Sequence, residues 1–138
     1  MRPSATIEEV QIPHTHGLPN EGEGSHIPVY CSIPSSASED KPCPCVTIMT
    51  GLDGYRTELA VWIQGWNDLG VGCIVVEIPG TGDSPAAKND PTSPDRQWSS
   101  YVDWLDEQKM IDPAKRIVWA FSTGGYYAIR LAHQKPDK

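Results

Sequence analysis

The chain has 138 residues, of which 38% are hydrophobic and 21% are charged, and these proportions predict one globular domain rather than a disordered or fibrous chain. Its formal charge of -7 opposes binding to nucleic-acid phosphates or to an anionic membrane surface, and no basic cluster offsets that charge. No apolar run approaches the length of a membrane span, and the first ten residues lack the apolar stretch of a secretion signal, so we expect a soluble, cytoplasmic protein.

Cysteine and histidine side chains are the first candidates for metal ligands. Without a secretion signal, the four cysteines are expected to be reduced thiols: Cys31, Cys43, Cys45 and Cys73. The Cys43-Pro44-Cys45 segment lacks both the spacing and the second ligand pair of a zinc site. The loop that carries His14, His16 and His26 is expected to be flexible and polar, with a bound metal as the less favoured interpretation. The sequence therefore predicts no metal.

Hydrophobic periodicity predicts an alternation of strands and helices. Two short antiparallel strands are predicted at residues 7–12 and 27–33, at the edge of a sheet. Buried strands at 45–50, 72–78 and 116–121 then alternate with helices at 58–69, from Ser93 onward, and at 123–133. Short connections of this kind require parallel pairing with right-handed crossovers. The predicted fold class is therefore α/β, with a mainly parallel sheet in the order β-β-βα-βα-βα.

Several local features refine that prediction. Gly70 is placed to end a helix in a left-handed conformation, and Asp112-Pro113 is expected to break the chain before the last strand. Ser93 is expected to cap the second long helix, with Pro94 in its first turn. Three residues at the strand centres are expected to be buried: Ile48, Val75 and Val118. Three tryptophans on the apolar helix faces should pack on the sheet: Trp62, Trp66 and Trp98. Leu69 lies on the same helix face as Trp62 and Trp66.

The segment Ala120-Phe121-Ser122-Thr123-Gly124 lies where the chain turns from the last strand into the last helix. It has the G-x-S-x-G pattern of a nucleophile elbow, with alanine in place of the first glycine. In such an elbow a strained turn presents the serine above the sheet, so the residues two positions away must be small. We therefore predict Ser122 as the nucleophile. The alternative is that Ser122 only caps the following helix.

A serine nucleophile needs two backbone amides that stabilise the oxyanion of the tetrahedral intermediate. The amide after the nucleophile and one from the first βα loop usually serve, which predicts Thr123 and Leu52. Gly80-Thr81-Gly82 follows a strand as a dinucleotide-binding loop would, but Pro85 replaces the third glycine of that motif. No cofactor is therefore expected.

Three rim segments together resemble a known family: residues 51–58 (GLDGYRTE), 77–85 (EIPGTGDSP) and 121–127 (FSTGGYY). They are similar to fungal polyketide-shortening hydrolases of pigment and melanin biosynthesis, in the α/β-hydrolase superfamily, and to esterases of the fermentation-respiration-switch type. The resemblance runs from about residue 6 to residue 138. It implies a small-molecule polyketide or ester substrate and a retro-Claisen cleavage that begins with attack by Ser122.

The chain also departs from the pattern that this resemblance implies. The acid and the histidine of the triad should follow the nucleophile on later strands, and only sixteen residues follow Ser122. His133 is expected to lie too far along the last helix to serve as the base, and residues 1–138 are not expected to include the family's N-terminal helical region. We therefore expect residues 1–138 to be the N-terminal and central part of a hydrolase core. In isolation the chain should react only slowly with fluorophosphonates.

Two other functions remain open from the sequence. The chain could be a non-catalytic α/β module that binds a small molecule or a partner, or a general carboxylesterase. An unpaired edge strand next to Ser122 would also favour association into a homodimer.

Overall fold

A computed structural model describes residues 4–138 as one five-stranded sheet covered by helices on both faces. The strands are β1 (Glu8–Pro13), β2 (His26–Ser32), β3 (Cys43–Met49), β4 (Gly72–Val76) and β5 (Ile111–Ala120). The helices are α1 (Arg56–Leu59), α2 (Ile63–Asp68), α3 (Ser93–Asp106) and α4 (Gly124–Gln134), with short 3-10 helices at Pro19–Glu21 and Ala60–Trp62.

The strand order is β1-β2-β4-β3-β5, and the central pairs β4–β3 and β3–β5 are parallel. The strands β1 and β2 pair antiparallel, and β2 joins β4 antiparallel, so β1 forms one edge. This arrangement confirms the predicted α/β class and the antiparallel edge, in a mixed sheet with two parallel and two antiparallel strand pairs. Helices connect the parallel strands because the chain must return to the same end of the sheet before each new strand.

Apolar side chains fill both faces of the sheet. On one face, Trp98 and Tyr101 of α3 are fully buried against strand residues such as Val76. On the other face, Ile63 of α2 packs against Ile48 and its neighbours on β3 and β4. The predicted burial of Ile48, Val75 and Trp98 is confirmed.

The predicted burial of Val118 is wrong. This side chain is 40% exposed, and the adjacent Ile117 is 53% exposed. The strand β5 pairs with β3 on one side, and no strand of residues 4–138 lies on its other side. A side chain on an edge strand lacks one of the two neighbours that would cover it.

The predicted helix 58–69 is interrupted. A 3-10 turn, Ala60–Trp62, separates α1 from α2. Trp62, the last residue of this turn, lies half-exposed on the edge of Trp119, and Leu69, which follows the last residue of α2, is largely exposed. Gly70 takes the expected left-handed conformation, with φ of 76°.

Two boundary predictions also differ from the structure. Thr92, not Ser93, precedes the first residue of α3, and the Ser93 hydroxyl instead accepts a hydrogen bond from the Ala87 amide at 2.8 Å. Pro113 lies inside β5, within an irregular stretch of the β3–β5 register. An edge strand tolerates proline there, because its missing N–H leaves no neighbouring strand without a donor.

The loop between β1 and β2 is held by buried polar contacts, which corrects the expectation of a flexible segment. His14 Nδ1 lies 2.8 Å from the Ser100 hydroxyl on α3. The buried Glu23 carboxylate accepts hydrogen bonds from Arg96 at 2.6 and 2.9 Å and from the Ser93 hydroxyl at 2.5 Å. These contacts attach the loop to α3. Within residues 4–138, no group of three or more His, Cys, Asp or Glu side chains has a metal-binding arrangement.

This cluster predicts an acid-sensitive fold. Burial lowers the pKa of His14, although the nearby Glu23 carboxylate offsets part of that effect. The unfolded chain therefore takes up a proton near pH 6.5 that the folded chain still excludes. We expect the free energy of unfolding to fall as the pH decreases from about 6.5 to 5.5, and His14→Gln to reduce that slope. Urea denaturation at both pH values measures it.

The matched control is His26→Gln, because His26 is exposed and its ring contacts only the Ser25 hydroxyl among the polar partners described. That variant should keep the slope of the unmodified chain. An identical pH dependence in the His14→Gln variant would contradict the prediction.

None of the helices in residues 4–138 has the length and apolar character that a membrane-spanning helix needs.

Candidate active site

The carboxyl ends of the parallel strands bring three loops to one rim of the sheet. These loops follow β3, β4 and β5, as the sequence predicted. A β-carbon at Gly51 would lie 3.4 Å from the Ser122 β-carbon and 3.5 Å from the Phe121 carbonyl oxygen. The loops after β3 and β5 are therefore in contact. In open α/β sheets this rim is the usual place for a ligand.

Ser122 stands in a tight turn between β5 and α4. The Phe121 amide donates to the Met49 carbonyl at 3.2 Å, which extends the parallel ladder by one residue. The Gly124 amide then donates to the Phe121 carbonyl at 2.8 Å and starts the helix. Between them Ser122 has φ of 49°, a left-handed conformation that costs a non-glycine residue on the order of 1 kcal/mol. Such strain is characteristic of a nucleophile elbow.

The structure gives Ser122 no capping hydrogen bond. The helix α4 begins at Gly124, Thr123 holds the cap position, and no side-chain hydrogen bond caps the helix. Ser122 is exposed, and its hydroxyl has no hydrogen-bond partner within residues 4–138. The alternative role as a helix cap is therefore wrong.

Gly124 packs directly on the end of β3. A β-carbon at this position would lie 2.5 Å from the Thr50 carbonyl oxygen and 3.4 Å from the Ala120 β-carbon. The first of these distances is well inside a van der Waals contact. This close approach is the physical reason why the residue two positions after Ser122 must be small, and it leaves room for the methyl group of Ala120.

The two amides predicted for the oxyanion are free to donate. Within residues 4–138, neither the Leu52 N–H nor the Thr123 N–H has a hydrogen-bond acceptor. The Leu52 side chain is 61% exposed, and the turn around it closes through a bond of 3.3 Å from the Gly54 amide to the Gly51 carbonyl. An amide without an acceptor can donate to an incoming oxyanion without first giving up another hydrogen bond.

A buried ion network at the same rim escaped the sequence analysis. The Arg56 guanidinium donates to Glu77 at 3.2 Å, to Asp83 at 2.7 Å and to Glu9 at 2.7 Å. Glu77 also accepts from the Arg56 and Asp83 amides, at 3.2 and 2.8 Å. Burial lowers the pKa of Arg56, but its bonds to Asp83 and Glu9 outweigh burial and raise it overall. The network ties the loop after β3 to the loop after β4. The sequence did contain one signal for this network, because Glu77 directly follows the apolar strand β4.

Loss of the Arg56 charge should destabilise the fold. Arg56→Met leaves the Glu77 carboxylate, which is 2% exposed, without its cation, and breaking a buried pair in this way costs about 3 kcal/mol. Chemical denaturation measures the loss. Lys109→Met is the control, because Lys109 and Glu39 are largely exposed and 4.0 Å apart, and its cost should stay below about 0.5 kcal/mol. Equal costs would contradict the assigned role of Arg56.

The described histidines do not contact Ser122. Three of them have polar partners elsewhere, which are Ser100 for His14, Asp103 for His16 and Ser25 for His26. His133 lies in the last turn of α4, away from the elbow at the start of that helix. Residues 4–138 therefore show no hydrogen bond from a histidine to the nucleophile candidate.

The cysteines do not compete with Ser122 as nucleophiles. All four are buried free thiols. Burial raises the pKa of Cys31 and of Cys73 to about 12, so both stay protonated and unreactive at neutral pH.

Comparisons with solved structures place this geometry in context. An esterase from Pyrobaculum calidifontis matches with a TM-score of 0.71 and 18% identity, over 98% of this chain and 41% of its own. The 2,6-dihydroxy-pseudo-oxynicotine hydrolase matches with a TM-score of 0.69 and 24% identity, over 96% of this chain and 34% of its own. A dienelactone hydrolase-like promiscuous phosphotriesterase from metagenomic libraries matches with a TM-score of 0.65 and 19% identity, over 94% and 54%.

Searches against protein-family models and curated protein sequences found no match. The chain spans between about a third and just over half the length of the three structures named above. Identities below 25% establish a shared fold alone. From its first strand to the helix behind Ser122, the chain shares the fold of the matching part of these structures.

Proposed function

We propose that this chain carries the nucleophile of a serine hydrolase, with Ser122 as the attacking group. The observation that carries the proposal is the elbow itself. An exposed serine in a left-handed conformation follows a parallel strand and precedes a helix, and its hydroxyl has no structural partner among residues 4–138. Strained non-glycine residues cluster at functional sites, which favours a functional role for Ser122. Solved structures with this fold that are esterases and hydrolases support the same reaction class.

The amides of Leu52 and Thr123 would form the oxyanion hole. Both lack acceptors, and the contact between Gly51 and Ser122 brings their loops together. Each donor of this kind contributes about 3 kcal/mol to stabilisation of the transition state. We assign no residue of this chain to the general base, because no described histidine contacts Ser122.

The finer proposal is a polyketide-shortening hydrolase, which rests on the resemblance of the three rim segments. Ser122 would add to a ketone carbonyl of the side chain of a naphthopyrone, and the two amides would hold the oxyanion. Collapse of this intermediate would break the carbon–carbon bond and expel an enolate that the protonated base neutralises. Protonation of the enolate would give the hydroxynaphthalene, and water would then release the acetoacetyl group from Ser122 as acetoacetate.

Turnover of two substrates tests the proposal in the protein that carries this chain. A naphthopyrone should give hydroxynaphthalene and acetoacetate in equal amounts, and the acetoacetate should contain one oxygen atom from isotopically labelled water. Cleavage of aryl esters without cleavage of the naphthopyrone would replace the finer proposal by a general carboxylesterase. Absence of both reactions, with retained binding of a small molecule, would overturn the hydrolase proposal in favour of a binding module.

A further inference from the structure

A second candidate site is a shallow pocket of about 400 Å³. It lies between the loop after β4, the start of α3 and the first turn of α4, and Tyr126 and Tyr127 of α4 line it. The Gly125 amide donates to the Ser122 carbonyl at 2.9 Å, so Tyr126 follows the elbow by one helical turn. This pocket, called the tyrosine pocket, is thus formed partly by the loop after β4 and by the first turn of α4, the helix that follows Ser122.

The walls of the tyrosine pocket are mostly apolar, with Asn89, Asp90 and Arg130 as their polar members. Besides the tyrosines, they include three prolines and two alanines: Pro79, Ala86, Ala87, Pro91 and Pro94. Tyr126 is 58% exposed, and its ring meets the Tyr127 ring edge to face, with centroids 5.1 Å apart. Tyr127 in turn lies 6.3 Å from the buried ring of Trp98. Such surfaces favour stacking with a planar ring.

The charged groups at this pocket are already occupied. Arg130 donates to both carboxylate oxygens of Asp95, at 2.6 and 2.9 Å, and to the Pro91 carbonyl at 2.7 Å. Its remaining contact is a bond of 3.3 Å to the Tyr126 hydroxyl, which fixes the ring. Asp90, also at the pocket, is paired with Arg96. Among residues 4–138, the pocket therefore offers an anionic ligand no unpaired cation, whereas a neutral ring would meet side chains that are already ordered.

We propose that the tyrosine pocket binds a neutral, planar aromatic ring, and that Tyr126 selects aromatic over aliphatic substrates. The role of Tyr126 in substrate selection rests on the proposed function. If Ser122 is the nucleophile, the bound ring would belong to the substrate whose carbonyl Ser122 attacks. Binding of the ring requires no turnover and can be measured separately.

The test is a titration of the isotopically labelled chain with 2-naphthol, followed by amide chemical shifts. We expect saturable shifts at Ala86, Ala87, Tyr126 and Tyr127. Tyr126→Ala should weaken binding about fivefold, the loss expected for one aromatic contact of about 1 kcal/mol, whereas Tyr126→Phe keeps the ring and should bind within about twofold. Ile129→Ala is the matched control, because Ile129 is 74% exposed on the same helix and lies outside the tyrosine pocket.

The same spectra report whether each variant is folded. Equal binding of decahydro-2-naphthol, which has the same carbon skeleton without the aromatic rings, would overturn the proposal. Unchanged affinity of the Tyr126→Ala variant would also overturn it. So would shifts confined to the apolar cavity between α3, α4 and β5, which Val118 and Leu131 line. Fluorophosphonate labelling of Ser122 is independent of these results, so failure of the pocket and failure of the hydrolase proposal are distinguishable.

Discussion

Replacing Ser122 by alanine is expected to abolish acyl transfer by the protein that carries this chain. The variant loses the atom that forms the covalent bond, and loss of a serine nucleophile typically lowers turnover by about a millionfold. The fold should survive, because Ser122 is exposed and its hydroxyl has no hydrogen-bond partner within residues 4–138. The free energy of unfolding should change by less than about 1 kcal/mol. Ester turnover and chemical denaturation measure the two effects.

Thr123→Ala is the matched control for that experiment. Thr123 is exposed next to Ser122, and its expected contribution is its backbone amide, which alanine retains. The control variant should therefore keep most of its turnover. If Ser122→Ala retained turnover, or if both variants lost it equally, the nucleophile would have to be sought elsewhere.

Replacing Gly124 by valine is expected to unfold the elbow. The new β-carbon would lie 2.5 Å from the Thr50 carbonyl oxygen, and backbone cannot move aside as the end of a flexible side chain can. Overpacking of this kind, with two further methyl groups, should cost more than about 4 kcal/mol. Thermal and chemical denaturation should show the loss, and fluorophosphonate labelling should disappear with it.

Gly125→Val provides the control at the next position. A β-carbon at Gly125 would meet no atom within 4 Å, and the residue lies inside α4. Valine and glycine differ by only a few tenths of a kcal/mol in helix propensity, so stability should stay within about 1 kcal/mol. Equal destabilisation at both positions would show that the helix, not the contact with Thr50, governs the result.

The elements that carry the elbow could be predicted from the sequence because each has a local cause. Runs such as Val46 to Ile48 favour a buried strand, and the small residues around Ser122 are required by the turn itself. The exposure of Val118 has no such local cause. It depends on which strand lies beside β5, and hydrophobic periodicity does not identify the edge of a sheet.

The buried ion networks were missed for a related reason. Arg56 and Glu77 are 21 residues apart in the sequence, and His14 and Ser100 are 86 apart. Each of these residues alone has the character of a surface or loop residue, since charged and polar side chains are mostly exposed. Arg56 and Glu77 meet only when the loops after β3 and β4 come together at the rim. His14 and Ser100 meet only when the β1–β2 loop packs on α3. Both contacts are properties of the tertiary fold.

The most direct test of the central claim is to locate the covalent adduct of a fluorophosphonate in the protein that carries this chain. Trypsin releases residues 117–130 as one peptide, in which fragment masses separate Ser122 from Thr123 and from the two tyrosines. The proposed mechanism predicts one adduct, on Ser122, and no adduct in the Ser122→Ala variant. An adduct on any other serine would contradict it. So would inhibition of ester turnover by the fluorophosphonate in a protein whose Ser122 remains unmodified.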